Sequence, residues 1–221
     1  MSAPEPPYRL AILDFDGTLA DTFPWFAGVL GGVADRYGFR RPAPDEVEAL
    51  RGLEARAVLR RLEVPRWKLP LIARHVRALA ARDGADFGLF PGIPALLRRL
   101  HAGGIVLAVV SSNREAVVRR VLGPSLAALI RHYACGTALF GKARTFRAVV
   151  RASGVAPARA LCLGDEIRDR QAATRAGLAF GAVAWGYTRP DVLAAAGPDL
   201  CFASPDAVAA SLLPAPVEPG P

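Results

Sequence analysis

Two aspartates separated by one residue follow a short apolar segment near the start of the chain. Residues 10–13 are apolar, and Asp14, Phe15, Asp16, Gly17 and Thr18 come next. Because strand side chains alternate between two faces, both carboxylates point to the same side of a predicted strand over residues 10–15. One carboxylate can act as a nucleophile and its neighbour as an acid and base, and together they can help to hold Mg²⁺.

The next two residues add to this chemistry. Gly17 permits a sharp turn at positive φ, and Thr18 supplies a hydroxyl donor near a bound anion. Taken alone, the same segment also fits an acidic turn that caps the following helix. The choice depends on whether further polar groups follow at other strand ends.

Further polar groups do follow. Ser111, Ser112 and Asn113 come directly after the apolar run 105–110. A hydroxyl and free backbone N–H groups at a helix start can bind a phosphate or a developing oxyanion, and they can equally serve as an ordinary helix cap. Lys142 opens a later predicted helix, where the helix dipole disfavours a cation, so its charge suggests a role elsewhere.

An acidic segment completes the set. Asp165 and Asp169 follow the apolar run 160–163 and lie four residues apart around a predicted helix start, so both can point to one locus. A carboxylate there can complete a Mg²⁺ shell with Asp14. The helix dipole also favours acidic residues at a helix N-terminus without any ligand.

The elements that must position these groups alternate along the chain. A strand is predicted over 10–15, helices over 23–37, 45–62 and 67–81, and no strand between 19 and 88, so a helical insertion follows the first strand. After a break at 90–92, the pattern predicts helices and strands in turn: helices 94–100, 114–122, 125–133, 143–152, 167–176 and 205–213, and strands 105–110, 134–137, 160–163, 180–185 and 200–203. This order predicts an α/β fold with a doubly wound parallel sheet.

Composition limits the classes of function. The 221 residues suit one large domain or a core with a small inserted domain, and the net charge of +8 comes from arginines spread along the chain. This spread favours small anions over nucleic acid as partners. The sequence has no uncharged apolar stretch of about 18 residues, so no membrane span is predicted. Residues 1–7 lack a signal-peptide pattern, and three distant cysteines are typical of free thiols, so we expect a cytoplasmic location.

The four polar segments, in this order, resemble the haloacid dehalogenase superfamily of phosphohydrolases. The matching residues are Asp14-Phe15-Asp16-Gly17-Thr18, Ser111, Lys142, and Gly164-Asp165 with Asp169. A helical insertion after the first motif is similar to the phosphoglycolate phosphatase and β-phosphoglucomutase branch. The resemblance implies a Rossmann-like core over 1–18 and 90–213 and a small helical cap over 19–89. A Pro-rich tail, 214–221, is predicted to be disordered.

The resemblance also implies roles for residues. Asp14 would attack phosphorus to form an aspartyl-phosphate, and Asp16 would be the acid and base. Mg²⁺ would lie between the Asp14 carboxylate, the Asp16 main-chain carbonyl and Asp165, with Asp169 in a supporting role. The phosphate would be bound by Gly17, Thr18, Ser111, Ser112 and Lys142. Arg51 and Arg56 are the candidate substrate contacts from the cap.

The function implied by the resemblance is a Mg²⁺-dependent phosphomonoester hydrolase, similar to phosphoglycolate phosphatase, that acts on a small phosphorylated metabolite. A phosphotransferase similar to β-phosphoglucomutase remains an alternative, as does a non-catalytic protein that binds a phosphorylated ligand. We expect a monomer or homodimer with neither nucleic acid nor membrane as a partner.

Overall fold

The computed structural model describes residues 6–84, 87–137 and 141–214, and eight strands lie in this part of the chain. They are β1 (Leu10–Leu13), β2 (Ala20–Asp21), β3 (Gly88–Leu89), β4 (Val106–Val110), β5 (Ile130–Ala134), β6 (Ala160–Gly164), β7 (Ala179–Val183) and β8 (Leu200–Phe202). Six of them form one parallel sheet in the order β5-β4-β1-β6-β7-β8, and β2 pairs with β3 in an antiparallel ribbon. The predicted α/β fold with a doubly wound parallel sheet is confirmed.

Strand β1 occupies the centre of the sheet because every one of its side chains is apolar and can be buried. Leu10 pairs with Val106 of β4 on one side and with Ala160 of β6 on the other. All four residues of β1 are at most 1% exposed. A strand that is buried on both faces is expected to be a continuous apolar run. Its carboxyl end therefore lies between those of β4 and β6.

Ten α-helices cover the sheet and form the insertion in the described ranges: α1 (Phe23–Tyr37), α2 (Pro44–Leu50), α3 (Ala55–Arg61), α4 (Leu69–Asp83), α5 (Ile93–Ala102), α6 (Glu115–Ala127), α7 (Lys142–Ser153), α8 (Ile167–Ala176), α9 (Pro190–Ala195) and α10 (Pro205–Leu212). Helices α5, α6 and α10 pack on one face of the sheet, in one apolar cluster with Ala11 and Leu13. Helices α7 and α8 pack on the other face, with Leu10 and Ile12. None of these helices combines the length and apolar character that a membrane span requires.

Along the chain, helices α1 to α4 come between the two strands of the β2–β3 ribbon. They share a small apolar cluster of their own, with Leu30, Leu50, Leu62 and Val64 buried. This cluster is separate from the two clusters on the sheet faces. Part of the helical insertion therefore packs on its own cluster, whereas Trp25, Ala80 and Phe87 pack with the cluster on one sheet face. The core and cap boundaries at residues 18, 19, 89 and 90 remain a prediction.

The predicted helix over 45–62 is wrong as a single element. It divides into α2 and α3, and Glu54 between them has extended backbone, with φ −63° and ψ 149°. Gly52 lies in the break, and glycine lowers helix stability by about 1 kcal/mol relative to alanine. The apolar periodicity continued across the break because both short helices face the same cluster.

The predicted helix 125–133 and strand 134–137 have wrong bounds. Gly123 has non-helical backbone, with φ 68° and ψ 165°, so α6 consists of two helical segments, as the predicted break at this position implies. The second segment already ends at Ala127, and Ile130 begins β5. Strand β5 lies at the edge of the sheet and most of its residues are only partly buried, so its pattern is less apolar than that of a central strand.

Three short elements lie outside the prediction: the ribbon strands β2 and β3 and the helix α9. The ribbon strand β2 falls in the region predicted to contain no strand, because two residues are too few to show a period. Helix α9 was not predicted. Of the predicted disordered tail, residues 215–221 lie outside the described residues.

A matched pair of substitutions tests the assigned burial. Leu97→Ala on α5 removes a side chain that is 0% exposed, so it should lower the free energy of unfolding by about 2–5 kcal/mol. Leu71→Ala on α4, where the leucine is 40% exposed, should lower it by about 0.5 kcal/mol or less. Guanidinium unfolding curves followed by circular dichroism measure both, and equal losses would contradict the burial of Leu97.

Candidate active site

The predicted site residues of the four polar segments meet at one edge of the sheet because β1, β4 and β6 are parallel neighbours. Asp14 follows β1, Ser111 follows β4, and Asp165 follows β6. Lys142 begins α7, which packs beside α8 on the face of the sheet that contains Leu10. Ligands of open α/β sheets bind at this carboxyl edge. The topology therefore gathers four distant polar segments in one place.

A buried ammonium joins two of these segments. The Nζ of Lys142 donates to Asp14 Oδ2 at 2.6 Å and to Asp169 Oδ1 at 2.7 Å. The three side chains are 5%, 7% and 2% exposed, respectively. Burial alone would lower the pKa of Lys142, but the charges of Asp14 and Asp169 raise it above its ordinary value, so the lysine is charged. The sequence prediction that Lys142 belongs to this constellation thus has a direct geometric basis.

The two carboxylates beside Lys142 differ in acidity. Burial raises the pKa of Asp14 well above its ordinary value, and the attraction of Lys142 only partly offsets this effect. Burial also acts to raise the pKa of Asp169, but the charges of Lys142 and Arg168 outweigh it and hold that pKa below its ordinary value. The attraction of Lys142 therefore offsets only part of the cost of burying the Asp14 carboxylate.

Asp16 is held by donors on two sides. The Nδ2 of Asn113 donates to its two oxygens at 3.0 and 2.9 Å, and Thr22 Oγ1 donates to Oδ1 at 3.0 Å. Burial raises the pKa of Asp16, against the lowering effect of the Thr22 hydrogen bond and of the Lys142 charge. A carboxyl group with a raised pKa suits proton transfer near neutral pH.

Asp165 lies beside the first motif, and both of its oxygens are occupied by protein donors. Thr18 Oγ1 donates to Oδ1 at 2.8 Å, and the backbone N–H of Tyr187 donates to Oδ2 at 2.7 Å. Burial, with the like charges of Glu166 and Asp169, raises the pKa of Asp165 to about 8. A glycine is required at position 17, because φ is +73° and a Cβ would lie 2.2 Å from Asp165 Oδ2.

Three carboxylates come close enough to share a cation. Asp14, Glu166 and Asp169 each offer an oxygen, and these atoms lie within 4.8 Å of one another. Asp169 Oδ2 is buried and has no hydrogen-bond partner among the described residues. An all-oxygen donor set with an unused buried oxygen fits a hard divalent cation such as Mg²⁺. The sequence-predicted metal ligands were Asp14, Asp16 and Asp165, so the two sets share Asp14.

Ser111, directly after β4, has a structural partner and a spare proton. Ser111 Oγ accepts the backbone N–H of Asn113 at 3.0 Å, and the Ser111 carbonyl accepts the hydroxyl of Thr137 at 3.0 Å. A hydroxyl that accepts one N–H still has its own proton to donate. Ser111 thus organises the turn and keeps a donor at the edge of the sheet, beside Ser112.

The two arginines predicted to contact substrate are placed differently from each other. Arg51 donates from Nε to the carbonyl of Tyr187 at 2.9 Å and from Nη2 to the carbonyl of Gly186 at 2.8 Å. It also pairs with Glu48 at 3.0 Å. Arg56 is exposed on α3. A substrate contact by either residue remains a prediction, and the contacts of Arg51 tie the helical insertion to the core.

Five site residues had no role in the sequence prediction: Thr22, Asn113, Glu166, Arg168 and Tyr187. Asn113 and Glu166 directly adjoin the motif residues Ser112 and Asp165, so their position was a usable signal. Tyr187 reaches Thr22 across 165 positions, and no local pattern reports such a pairing.

Comparisons with known proteins agree with this geometry. The family model described as haloacid dehalogenase-like hydrolase matches residues 11–183. A phosphoglycolate phosphatase of Synechococcus elongatus is 30% identical, over 88% of this chain and 92% of that protein. The tyrosine-protein kinase PtkA of Mycobacterium tuberculosis is 28% identical, over 87% of this chain and 67% of that protein.

Solved structures show the same fold. A haloacid dehalogenase-like hydrolase from Streptococcus pneumoniae has a TM-score of 0.74 at 18% identity, and the match covers 91% of this chain and 97% of that one. The matches confirm the predicted superfamily, its phosphoglycolate phosphatase branch and the predicted enzyme class, a phosphatase hydrolase. The chain belongs to the haloacid dehalogenase-like hydrolase family.

Proposed function

We propose that the protein is a Mg²⁺-dependent phosphomonoester hydrolase that works through an aspartyl-phosphate on Asp14. The observation that carries the proposal is the buried Lys142 ammonium between Asp14 and Asp169, with Asp16 two residues from the nucleophile. Phosphoryl transfer needs positioning and charge neutralisation above all, and this arrangement supplies both.

In the proposed first step, a carboxylate oxygen of Asp14 forms a bond to phosphorus while the bond from phosphorus to the leaving oxygen breaks. Asp16 gives its proton to that leaving oxygen. In the second step, Asp16 takes a proton from a water molecule, whose oxygen attacks the phosphorus, and Asp14 is released. Lys142 neutralises phosphoryl oxygens in both steps, and the hydroxyl of Ser111, beside Ser112, donates to them. The predicted phosphate contacts of Gly17 and Thr18 need correction, because the Gly17 N–H donates to the carbonyl of Ala20 at 2.9 Å and the only hydroxyl proton of Thr18 goes to Asp165 Oδ1 at 2.8 Å.

A divalent cation fits the carboxylates at this edge. Asp14, Glu166 and Asp169 would hold it by the distances above, and the resemblance adds the Asp16 main-chain carbonyl and Asp165 as candidate ligands. When bound, such a cation neutralises charge on the phosphoryl group as a Lewis acid. Its positive charge would also oppose the burial that raises the pKa of Asp14.

The proposed substrate is a small phosphorylated metabolite of the kind that the names of the relatives indicate. Two relatives, from Synechococcus elongatus and Agrobacterium fabrum, are named phosphoglycolate phosphatases at 30% and 31% identity.

We propose that the helical insertion, residues 19–89, closes over the site as a cap. A cytoplasmic monomer or homodimer is the proposed form, and the three cysteines are free thiols, as a reducing compartment requires.

A substrate screen with a nucleophile variant tests the proposal. The wild-type protein should release phosphate from one or a few phosphomonoesters, 2-phosphoglycolate included, only when Mg²⁺ is present. Asp14→Asn should lower kcat by more than about 10⁴-fold because the amide cannot form the covalent intermediate. Asp16→Asn should lower kcat by about 10²–10⁴-fold while Mg²⁺ binding persists.

The matched control is Asp206→Asn, which removes an exposed carboxylate paired with Arg99, and it should turn over like the wild type. Near-normal turnover by Asp14→Asn would overturn the covalent mechanism. Turnover that appears only after addition of a sugar bisphosphate would instead favour the phosphotransferase alternative. Tight binding of phosphorylated ligands without any turnover would favour the binding protein.

The pH dependence of stability tests the cation site without activity. The unfolded Asp165 carboxyl loses its proton near pH 3.8, whereas burial keeps the folded one protonated to about pH 8. The pKa values of Asp14 and Glu166 shift in the same direction. The folded state therefore binds more protons, and the metal-free protein should lose stability as pH rises from about 4 to about 8.

Mg²⁺ should compensate for this loss, so it should raise the melting temperature more at pH 8 than at pH 5. Thermal unfolding in Mg²⁺ and in chelator measures the difference at each pH. Glu166→Gln should reduce the gain, and Asp206→Asn should retain it. A rise in melting temperature on Mg²⁺ addition that is equal at both pH values, or unchanged in Glu166→Gln, would contradict the proposed cation site.

A further inference from the structure

The segment after β7 is the junction between the helical insertion and the catalytic edge. Trp185 donates from Nε1 to the carbonyl of Thr18 at 3.0 Å, which fixes the segment against the first motif. Gly186 is packed so closely that a Cβ would lie 2.1 Å from the Cβ of Asp165. The next residue, Tyr187, uses its backbone and its side chain on different partners, and neither use belongs to the mechanism proposed above.

The hydroxyl of Tyr187 ends a hydrogen-bond chain that leads to Asp16. Tyr187 Oη and Thr22 Oγ1 are 2.8 Å apart, and Thr22 Oγ1 donates to Asp16 Oδ1 at 3.0 Å. Thr22 has only one hydroxyl proton, and the carboxylate takes it. The direction of the chain follows: Tyr187 donates to Thr22, and Thr22 donates to Asp16. Thr22 is completely buried, so water does not replace either partner.

The Tyr187 residue is itself held on three sides. Its ring lies edge-on to Phe23 with centroids 5.1 Å apart, and Phe26 is 6.1 Å away. Its N–H donates to Asp165 Oδ2 at 2.7 Å, and its carbonyl accepts Arg51 Nε at 2.9 Å. The hydroxyl therefore has little freedom to leave Thr22. The same residue connects Arg51 of the insertion with Asp165 directly and with Asp16 through Thr22.

We propose that Tyr187 is a positioning residue for the acid/base step, and that it acts on Asp16 through the hydroxyl of Thr22. The inference rests on the proposed function, because it assigns Asp16 as the proton donor to the leaving oxygen. Asn113 holds both Asp16 oxygens from the side of β4, and the Tyr187–Thr22 chain holds Oδ1 from the side of α1. Loss of the chain leaves Asp16 with one fixed donor and a wider range of orientations.

The proposal has a consequence for substrate class. A poorly aligned Asp16 harms only those reactions in which the leaving oxygen must receive a proton. Alkyl phosphates leave as strongly basic alkoxides and depend on the acid, whereas an aryl phosphate such as p-nitrophenyl phosphate leaves as a stable phenolate and depends on it little. Tyr187 should therefore favour alkyl phosphate substrates over activated aryl phosphates.

The test is Tyr187→Phe, which keeps the ring packing and both backbone hydrogen bonds and removes only the hydroxyl. The parameter is kcat/KM, which reports the first phosphoryl transfer, for the best alkyl phosphate found and for p-nitrophenyl phosphate. We expect a loss of about tenfold or more for the alkyl phosphate and of less than about threefold for the aryl phosphate. The inhibition constant of inorganic phosphate should stay within about twofold, because ground-state binding is untouched.

A second pair of variants interrupts the chain at its middle. Thr22→Val is close to isosteric and removes the hydroxyl, so it should reproduce the selective loss. Thr22→Ser restores a hydroxyl and should recover most of the alkyl phosphate activity. The matched control is Tyr37→Phe, which removes a hydroxyl that bonds His75 within the insertion. It should leave kcat/KM unchanged for both substrates.

The outcomes separate the inference from the function on which it rests. A wild-type protein without any turnover refutes the proposed function itself. Turnover by the wild type with equal losses for both substrates in Tyr187→Phe, or with no loss for either, refutes the role of Tyr187 alone. Melting temperatures of all variants identify a general loss of folding, which would lower kcat/KM for both substrates together.

Discussion

The ammonium of Lys142 between Asp14 and Asp169 is the contact on which the catalytic edge depends. Transfer of these three charges from water costs several kcal/mol per ion, and their attraction repays this cost only with close geometry. Bonds of 2.6 and 2.7 Å meet that condition. The geometry exists because β1, α7 and α8 are held in a fixed relation by the parallel sheet and by the apolar cluster beneath it. Removal of one partner would leave an uncompensated buried charge.

The charge balance of the same edge explains why it suits phosphate chemistry. Among the described residues, five carboxylates lie here, Asp14, Asp16, Asp165, Glu166 and Asp169, against the two cations Lys142 and Arg168. Burial raises the pKa of four of these carboxyl groups, and only Asp169 has a lowered one. Under the proposed function, a divalent cation at this edge would offset the excess negative charge and would favour the binding of a dianionic phosphate. The attraction of this edge for a phosphate is local, because the other arginines of the chain are spread over the surface.

Under the proposed function, the core and the insertion would have different tasks: the core residues would carry out the phosphoryl transfer, and the insertion would cover the site. Similar chains carry the names of a phosphoglycolate phosphatase and a tyrosine-protein kinase, so the fold alone does not fix the substrate. In this chain, Arg51 and Tyr187 connect the two parts, so the position of the insertion and the orientation of the acid/base group are physically linked.

The sequence by itself determined the sheet, most helices and the four polar segments, because apolar runs and helical periodicity directly express which residues are buried. It was less informative where that pattern weakens, at the edge strand β5 and at the break near Gly52. Tertiary structure alone decided the partners of each polar side chain. Asp165 accepts hydrogen bonds from Thr18 and Tyr187. Glu166 lies close to Asp14 and Asp169, and the hydroxyl of Tyr187 contacts that of Thr22. Such pairings depend on side-chain directions across distant segments, which a local pattern of polarity does not encode.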